Sequence, residues 1–233
     1  MNRNLTLIKS SGILHPVNSS SPFPSPLRGE GKGEGLFQRW VRMKSDQKQW
    51  DERFGKKEFA FGKEANPFLK RHIALLPRGK ALDIATGEGR NAVFLAQHGF
   101  NVDAVDISKM GLRKVWKLAK EMGVKIHTLH VDLDTYKIKE GQYDLITNFY
   151  FLKRSLISKI KKGLKKGGRV IFETYILEHR SLATGGPKQS KYFLKPNELL
   201  RLFDGFRILR YREGIFREGG KRKGIASLIA EKT

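Results

Sequence analysis

The chain has 233 residues, no cysteine and a formal net charge of +23. Disulfides, thiolate metal sites and a cysteine nucleophile are excluded, and no run approaches the roughly 18 consecutive apolar residues of a membrane span. The six histidines, His15, His72, His98, His127, His130 and His179, share no ligand spacing, so the sequence predicts a soluble, cytoplasmic protein without a metal site, built as one domain with an appendage.

The appendage comes first. Ser19 to Gly35 is low in complexity and rich in Ser, Pro and Gly, a composition that cannot bury a core. It predicts a disordered tail over residues 1–42. This tail also reads like translated repetitive intergenic DNA, which places the natural start at Met43. Leu5, Leu7, Ile8 and Ile13-Leu14 are interrupted by polar residues and form no secretory apolar core, although the acid-poor opening has some likeness to an organelle transit peptide. Asp46 to Arg53 then predicts a short helix with Trp50 and Phe54 on one face. Asn66-Pro67 is a cap followed by proline at the first helical position, opening a helix that carries Phe68, Leu69, Ile73, Leu75 and Leu76. Pro77-Arg78-Gly79 stops it.

From Lys80 strand and helix patterns alternate. Strands are predicted over 80–85, 101–106, 125–132, 143–150 and 168–175, and helices over 90–98, 108–122, 154–166 and 196–203. Gly99, Ser108, Gly123 and Gly167-Gly168 mark helix ends. Such alternation implies a parallel sheet with right-handed crossovers. Two last strands, Phe206 to Tyr211 and Gly224 to Ala230, flank Gly219 to Lys223 and predict an antiparallel hairpin. The expected fold class is α/β: a Rossmann-like, doubly wound, mostly parallel sheet ending in an antiparallel C-terminal hairpin, within 43–233.

Ala81 to Ala92 carries the chemistry. An apolar strand containing Asp83 gives way to Ala85-Thr86-Gly87-Glu88-Gly89, and the helix beginning Arg90-Asn91-Ala92 follows at once. Such a turn lets a ligand approach the backbone, and the free N–H groups of the next helix point at it. Gly87, Gly89 and Ala92 also meet the G-x-G-x-x-G/A pattern of dinucleotide binders, so the turn alone leaves a nicotinamide cofactor open. Asp106, followed by Ile107, ends the second strand, where a carboxylate can accept from both hydroxyls of a ribose. Asp132, followed by Leu133, ends the third, where it can accept from an adenine amine, while either Asp132 or Asp134 can cap a turn. Three carboxylates at the carboxyl ends of successive strands describe a pocket for a nucleoside with a cationic tail.

These residues resemble the class I S-adenosylmethionine-dependent methyltransferases. The likeness is closest to the branch of the tellurite-resistance and thiopurine enzymes, carried by Trp50-Asp51-Glu52-Arg53-Phe54, Asn66-Pro67-Phe68-Leu69 and Gly87-Glu88-Gly89-Arg90-Asn91-Ala92. It runs from about Gln49 to the C-terminus. The resemblance implies S-adenosyl-L-methionine as cofactor and transfer of its methyl group to a small-molecule acceptor such as a thiol or metalloid oxyanion. It implies cofactor contacts from Asp83, Ala85, Thr86, Gly87, Gly89, Arg90, Asn91, Asp106, Ile107, Asp132, Leu133 and Asn148, with Asp83 near the methionine end and Trp50 to Phe54 over the cofactor. Each has a plainer use: Asp83 can be satisfied by the glycine turn, and Trp50 and Phe54 can simply pack. The terminal hairpin replaces the second parallel half that a nicotinamide dehydrogenase needs.

Asn148-Phe149-Tyr150-Phe151 follows the fourth strand, where the acceptor would lie. It is similar to the N-P-P-[YF] loop of enzymes that methylate planar amino nitrogens, but both prolines are absent, which argues against DNA-adenine and glutamine acceptors. Its aromatics can be core, or one can face the sulfonium. Lys153 and Arg154 open a helix where the dipole disfavours cations, so an acid or an anionic ligand must compensate. Leu177 to Lys195 is long enough to be a lid or substrate wall. No general base stands out; Tyr150, Tyr175, Tyr192 and His130 qualify by position only. Lys114, Lys117, Lys120 and Lys125 surround one helix, and Lys159, Lys161, Lys162, Lys165 and Lys166 lie opposite an apolar stripe, as on ordinary solvated faces. Basic charge alone gives only non-specific nucleic-acid affinity. An RNA or protein methyltransferase, or a binding protein without turnover, are the alternative readings.

Overall fold

A computed structural model of the chain describes residues 33–182, 184–218 and 220–233. The part of the expected tail before residue 33 lies outside them. The chain divides into two compact units, Met1–Trp40 and Val41–Thr233, and the seven strands among the described residues belong to the second. Helix α1 spans Gly33–Phe54, so the boundary expected at residue 42 falls inside a helix that is much longer than the one predicted over 46–53.

The strands are β1 (Lys80–Ile84), β2 (Asn101–Asp106), β3 (His127–His130), β4 (Tyr143–Phe149), β5 (Leu164–Tyr175), β6 (Phe206–Glu218) and β7 (Lys221–Lys232). They form one sheet in the order β3-β2-β1-β4-β5-β7-β6. The first five pair in parallel, and β7 runs antiparallel to both β5 and β6. The other helices are α2 (Pro67–His72), α3 (Arg90–Gln97), α4 (Lys109–Glu121), α5 (Ile157–Gly163) and α6 (Glu198–Leu202). Alternate residues of each central strand enter different cores. Leu82, Ile146 and Phe172 join one cluster, while Ala81, Leu145 and Ile171 join the other, as expected for strands covered on both faces.

The helix starts follow their sequence signals. Asn66 Oδ1 accepts the Phe68 N–H at 2.7 Å before Pro67, and Ser108 Oγ accepts the Gly111 N–H at 3.0 Å. The helix predicted over 154–166 is corrected. A 3-10 turn over Arg154–Leu156 leads into α5, which ends at Gly163, and β5 begins at Leu164, so Gly167-Gly168 lies within the strand. A Cβ at Gly163 would overlap Ile138, and the fully buried Leu164 pairs with Tyr143, so the chain extends there. Strand β3 is shorter than 125–132, which leaves Asp132 beyond its end. The hairpin arms are longer than predicted and stay paired out to Glu218 opposite Lys221. No helix among the described residues is long and apolar enough to cross a membrane.

Candidate active site

The glycine turn after β1 is built by backbone conformations that few side chains tolerate: φ is +51° at Ala85, +58° at Gly87 and +88° at Gly89. The Thr86 N–H donates to Val105 O at 3.1 Å, which anchors the turn to β2. A Cβ on Gly89 would stand 2.8 Å from Val115 Cγ2, so this glycine permits α3 and α4 to approach. A Cβ on Gly87 would stand 3.3 Å from Phe54 Cζ. The buried Phe54 ring therefore covers the turn, and Trp50 stacks on it with ring centroids 5.3 Å apart.

Two of the three expected carboxylates converge here. Asp83 is buried; Thr147 Oγ1 donates to its Oδ1 at 2.5 Å and Thr86 Oγ1 to its Oδ2 at 2.6 Å. Burial pushes its pKa up to about 6 against the pull of those hydroxyls; the charge of Asp106 adds to the rise and Arg90 opposes it. Asp106 is also buried, and its Oδ2 and Oδ1 accept the N–H groups of Gly87 and Ser108, each at 2.8 Å. Burial raises its pKa as well, while those N–H groups hold it back. Asp132 is half-buried, one residue past Val131, whose N–H donates to Asp106 O. Its Oδ1 accepts the Asp134 N–H at 2.9 Å, so it caps a turn at the rim.

The remaining expected residues divide between site and scaffold. Arg90 donates to Phe61 O at 3.0 Å and stays near Asp83. Asn91 is turned into the protein, where its Oδ1 accepts the Asn66 N–H at 2.9 Å. Leu133 is buried in the core, and Ile107 O accepts from His130 Nε2 at 2.8 Å. Asn148 Nδ2 donates to Phe151 O at 2.6 Å, closing the loop after β4. That loop puts Tyr150 at φ +56°, with its ring 5.0 Å from Tyr175. The cations at the start of α5 have the plainer of their two explanations: Lys153 meets Asp134, and Arg154 grips Glu198 at 2.6 and 2.9 Å.

The contacts of several contributors carried no clear sequence signal. Asp51 of α1 accepts from Ser108 Oγ at 2.6 Å and from the Met110 N–H at 3.0 Å, placing a third carboxylate beside Asp106. Glu88, between the two glycines, is buried; it accepts the N–H groups of Ala60 and Phe61 and pairs with Lys114 at 2.8 Å. On the other side of β4, the fully buried Glu173 accepts from Asn66, Ser227 and Arg212. Lys223 of the hairpin donates to Tyr150 OH at 3.1 Å. The 177–195 loop is clasped by His179, whose Nδ1 accepts the Gly224 N–H at 3.1 Å, leaving Nε2 to donate to Gly185 O at 2.6 Å. A cavity of about 200 Å³ lined by His179, Gly186, Lys188 and Phe193 lies in this loop, and another of about 350 Å³ lies between Ile73, Leu76, His98 and Phe100; neither is lined by the glycine turn.

A family model described as tellurite resistance protein TehB matches residues 52–220. A ubiquinone biosynthesis O-methyltransferase of Idiomarina loihiensis is 26% identical over an alignment of 156 residues that covers 59% of this chain and 64% of that protein. A probable S-adenosyl-L-methionine-dependent methyltransferase TehB of Haemophilus influenzae is 26% identical over an alignment of 142 residues that covers 58% of this chain and 49% of its own length. The chain thus spans between about half and two thirds of these relatives. The crystal structure of TehB from Haemophilus influenzae has the same fold, with a TM-score of 0.63 at 19% identity over 80% of this chain and 67% of that one.

Proposed function

The chain belongs to the tellurite resistance protein TehB family, and on that basis we propose that it is an S-adenosyl-L-methionine-dependent methyltransferase acting on a small-molecule acceptor. The observation that carries this reading is the Asp106 carboxylate bridging the glycine turn and the cap of α4. Each of its oxygens accepts one N–H and keeps a further lone pair, which suits a ribose diol. The chemistry of this donor and acceptor set fits the cofactor. Asp106 would take the ribose, Asp132 the adenine amine, and Asp83 with the Gly87 backbone the cationic amino-acid end. Phe54 lies over Gly87 and must shift to admit the ligand.

When bound, the cofactor supplies an electrophilic methyl group on a sulfonium. The protein then has to hold the acceptor in line and exclude water. Tyr150 and Tyr175 form an aromatic wall beyond β4, and Lys223 lies 5.0 Å from the Tyr150 ring centroid. Burial, then the charges of Glu173 and Glu218, raise the Tyr150 pKa, so its hydroxyl stays protonated and serves as a hydrogen-bonding group. A nucleophile already anionic at neutral pH needs no base, and Lys223 and Arg90 offer it cations. Thiolates and metalloid oxyanions meet that description. The names of the relatives add an oxygen acceptor as the second class to examine.

Transfer of labelled methyl from the cofactor to thiols, tellurite, selenite and phenols tests the assignment. Saturable transfer to a thiol or metalloid oxyanion supports it. Transfer confined to phenolic oxygen moves the acceptor to the second class, and cofactor binding without transfer to any of them contradicts a catalytic role.

A further inference from the structure

The net charge of +23 is not used by the site just described, and part of it is organised on one helix face. Lys109, Arg113, Trp116, Lys117 and Lys120 follow one another along α4 at spacings of three and four residues, or adjoin within one turn, so they share the solvent side. All five are exposed, while Gly111, Leu112, Val115, Leu118 and Ala119 form the buried side. Trp116 is 66% exposed, more than any other large apolar side chain described. An indole this open on a helix that buries Leu112, Val115, Leu118 and Ala119 is not serving the core.

None of Lys109, Arg113, Lys117 and Lys120 joins a salt bridge among the described residues. The one acid of the helix, Glu121, pairs with Lys63 at 2.6 Å, and the charge of Lys117 acts on it as well. Lys120 Nζ lies 5.5 Å from the Trp116 ring centroid, and Arg113 reaches only the Met110 sulfur at 3.7 Å. Lys114 differs, since it turns toward Glu88 and belongs to the scaffold. Beyond the helix the exposed Lys125 continues the positive surface toward the edge strand β3.

We propose that this face binds single-stranded nucleic acid, with Trp116 stacking on a base and Lys109, Arg113, Lys117 and Lys120 contacting phosphates. A single aromatic platform inside a cationic strip is how sequence-tolerant single-strand recognition is built. An anionic membrane is less suited, because an interfacial helix needs a broad apolar face to insert, and here one ring is surrounded by charge. The surface lies outside the cofactor site, so the inference does not depend on methyl transfer.

The test uses the full-length chain and fluorescence anisotropy of labelled oligouridylate and oligodeoxythymidylate across a salt series, with inorganic polyphosphate as competitor and phosphatidylserine vesicles as a separate arm. Trp116→Ala should weaken oligonucleotide binding roughly tenfold to a hundredfold, the equivalent of one stacked base, with the salt slope unchanged. Arg113→Gln and Lys117→Gln should each lower that slope by about 0.7, the value for one phosphate contact on a single strand. All three side chains are exposed, and circular dichroism verifies the fold of each variant. Unchanged binding in folded Trp116→Ala would overturn the proposal. So would polyphosphate competing as well as oligouridylate of equal charge, or vesicles binding more tightly than either oligonucleotide.

Discussion

Asp106 accepts the Gly87 N–H on one oxygen and the Ser108 N–H on the other, so a single buried carboxylate joins the turn after β1 to the start of α4. This is achieved only because β1 and β2 are adjacent and parallel, with Ile84 opposite Val105. The residue at the proposed ribose position thus also sets the shape of the pocket floor.

Asp106→Ala removes an acceptor from two buried N–H groups and from the ligand. Hydrogen bonds to a charged group contribute about 1.5–3 kcal/mol each, so cofactor affinity should fall by roughly two orders of magnitude. Isothermal titration calorimetry with S-adenosylhomocysteine measures the loss, and thermal unfolding should show a lower midpoint in the same variant.

Gly89→Ala should destabilise the fold through packing and backbone strain. The new Cβ would lie 2.8 Å from Val115 Cγ2 and 2.9 Å from Cγ1, at a φ of +88°. Left-handed backbone costs about 1–2 kcal/mol and overpacking about 1–3 kcal/mol. Denaturant midpoints in a double-mutant cycle with Val115→Ala should recover the packing part and leave the backbone part.

Asp83 makes pH a probe of its own burial. Its carboxyl moves from an ordinary value near 3.9 to about 6 on folding, so the folded state holds the proton more tightly. The stability this confers is complete below about pH 4 and is lost as pH rises through about 6, a change of about 3 kcal/mol. The difference in unfolding free energy between wild type and Asp83→Asn should therefore shift against the wild type over that window. If Asp83 faces the cationic end of the cofactor, wild-type affinity should also weaken below pH 6, and the variant should lack that dependence.

Glu173 is fully buried with Asn66, Ser227 and Arg212 donating to it. Glu173→Ala should cost about 1–3 kcal/mol for each of the buried donors of Asn66 and Ser227 left unpaired, while the partly exposed Arg212 keeps Glu218 at 2.5 Å. Glu173→Gln keeps one acceptor and should cost less. Urea denaturation of both variants measures the difference.

The sheet, its order of elements and the terminal hairpin were legible because hydrophobic period, glycine stops and the caps at Asn66 and Ser108 all agreed. The end of α5 was misread, since Gly167-Gly168 is the stronger local stop, yet packing of Gly163 on Ile138 ends the helix earlier. The convergence of Asp83 and Asp106 on the glycine turn was legible from their places near the ends of adjacent strands. Asn91 and Leu133 were not, because family position is blind to which way a side chain turns, and here Asn91 serves Asn66 while Leu133 fills the core. Asp51 and Glu88 stand in the family motifs, but their contacts are not legible there, because their partners Ser108, Met110, Ala60 and Phe61 offer backbone and hydroxyl groups brought near only by tertiary packing.

Parallel calorimetric titrations of the full-length chain with S-adenosylhomocysteine and with nicotinamide adenine dinucleotide test most directly whether the glycine turn and Asp106 form an adenosyl-sulfur cofactor site. Saturable binding of S-adenosylhomocysteine alone, severely weakened in folded Asp106→Ala, is the predicted result. Saturable binding of the dinucleotide, or S-adenosylhomocysteine affinity indifferent to Asp106→Ala, would contradict it.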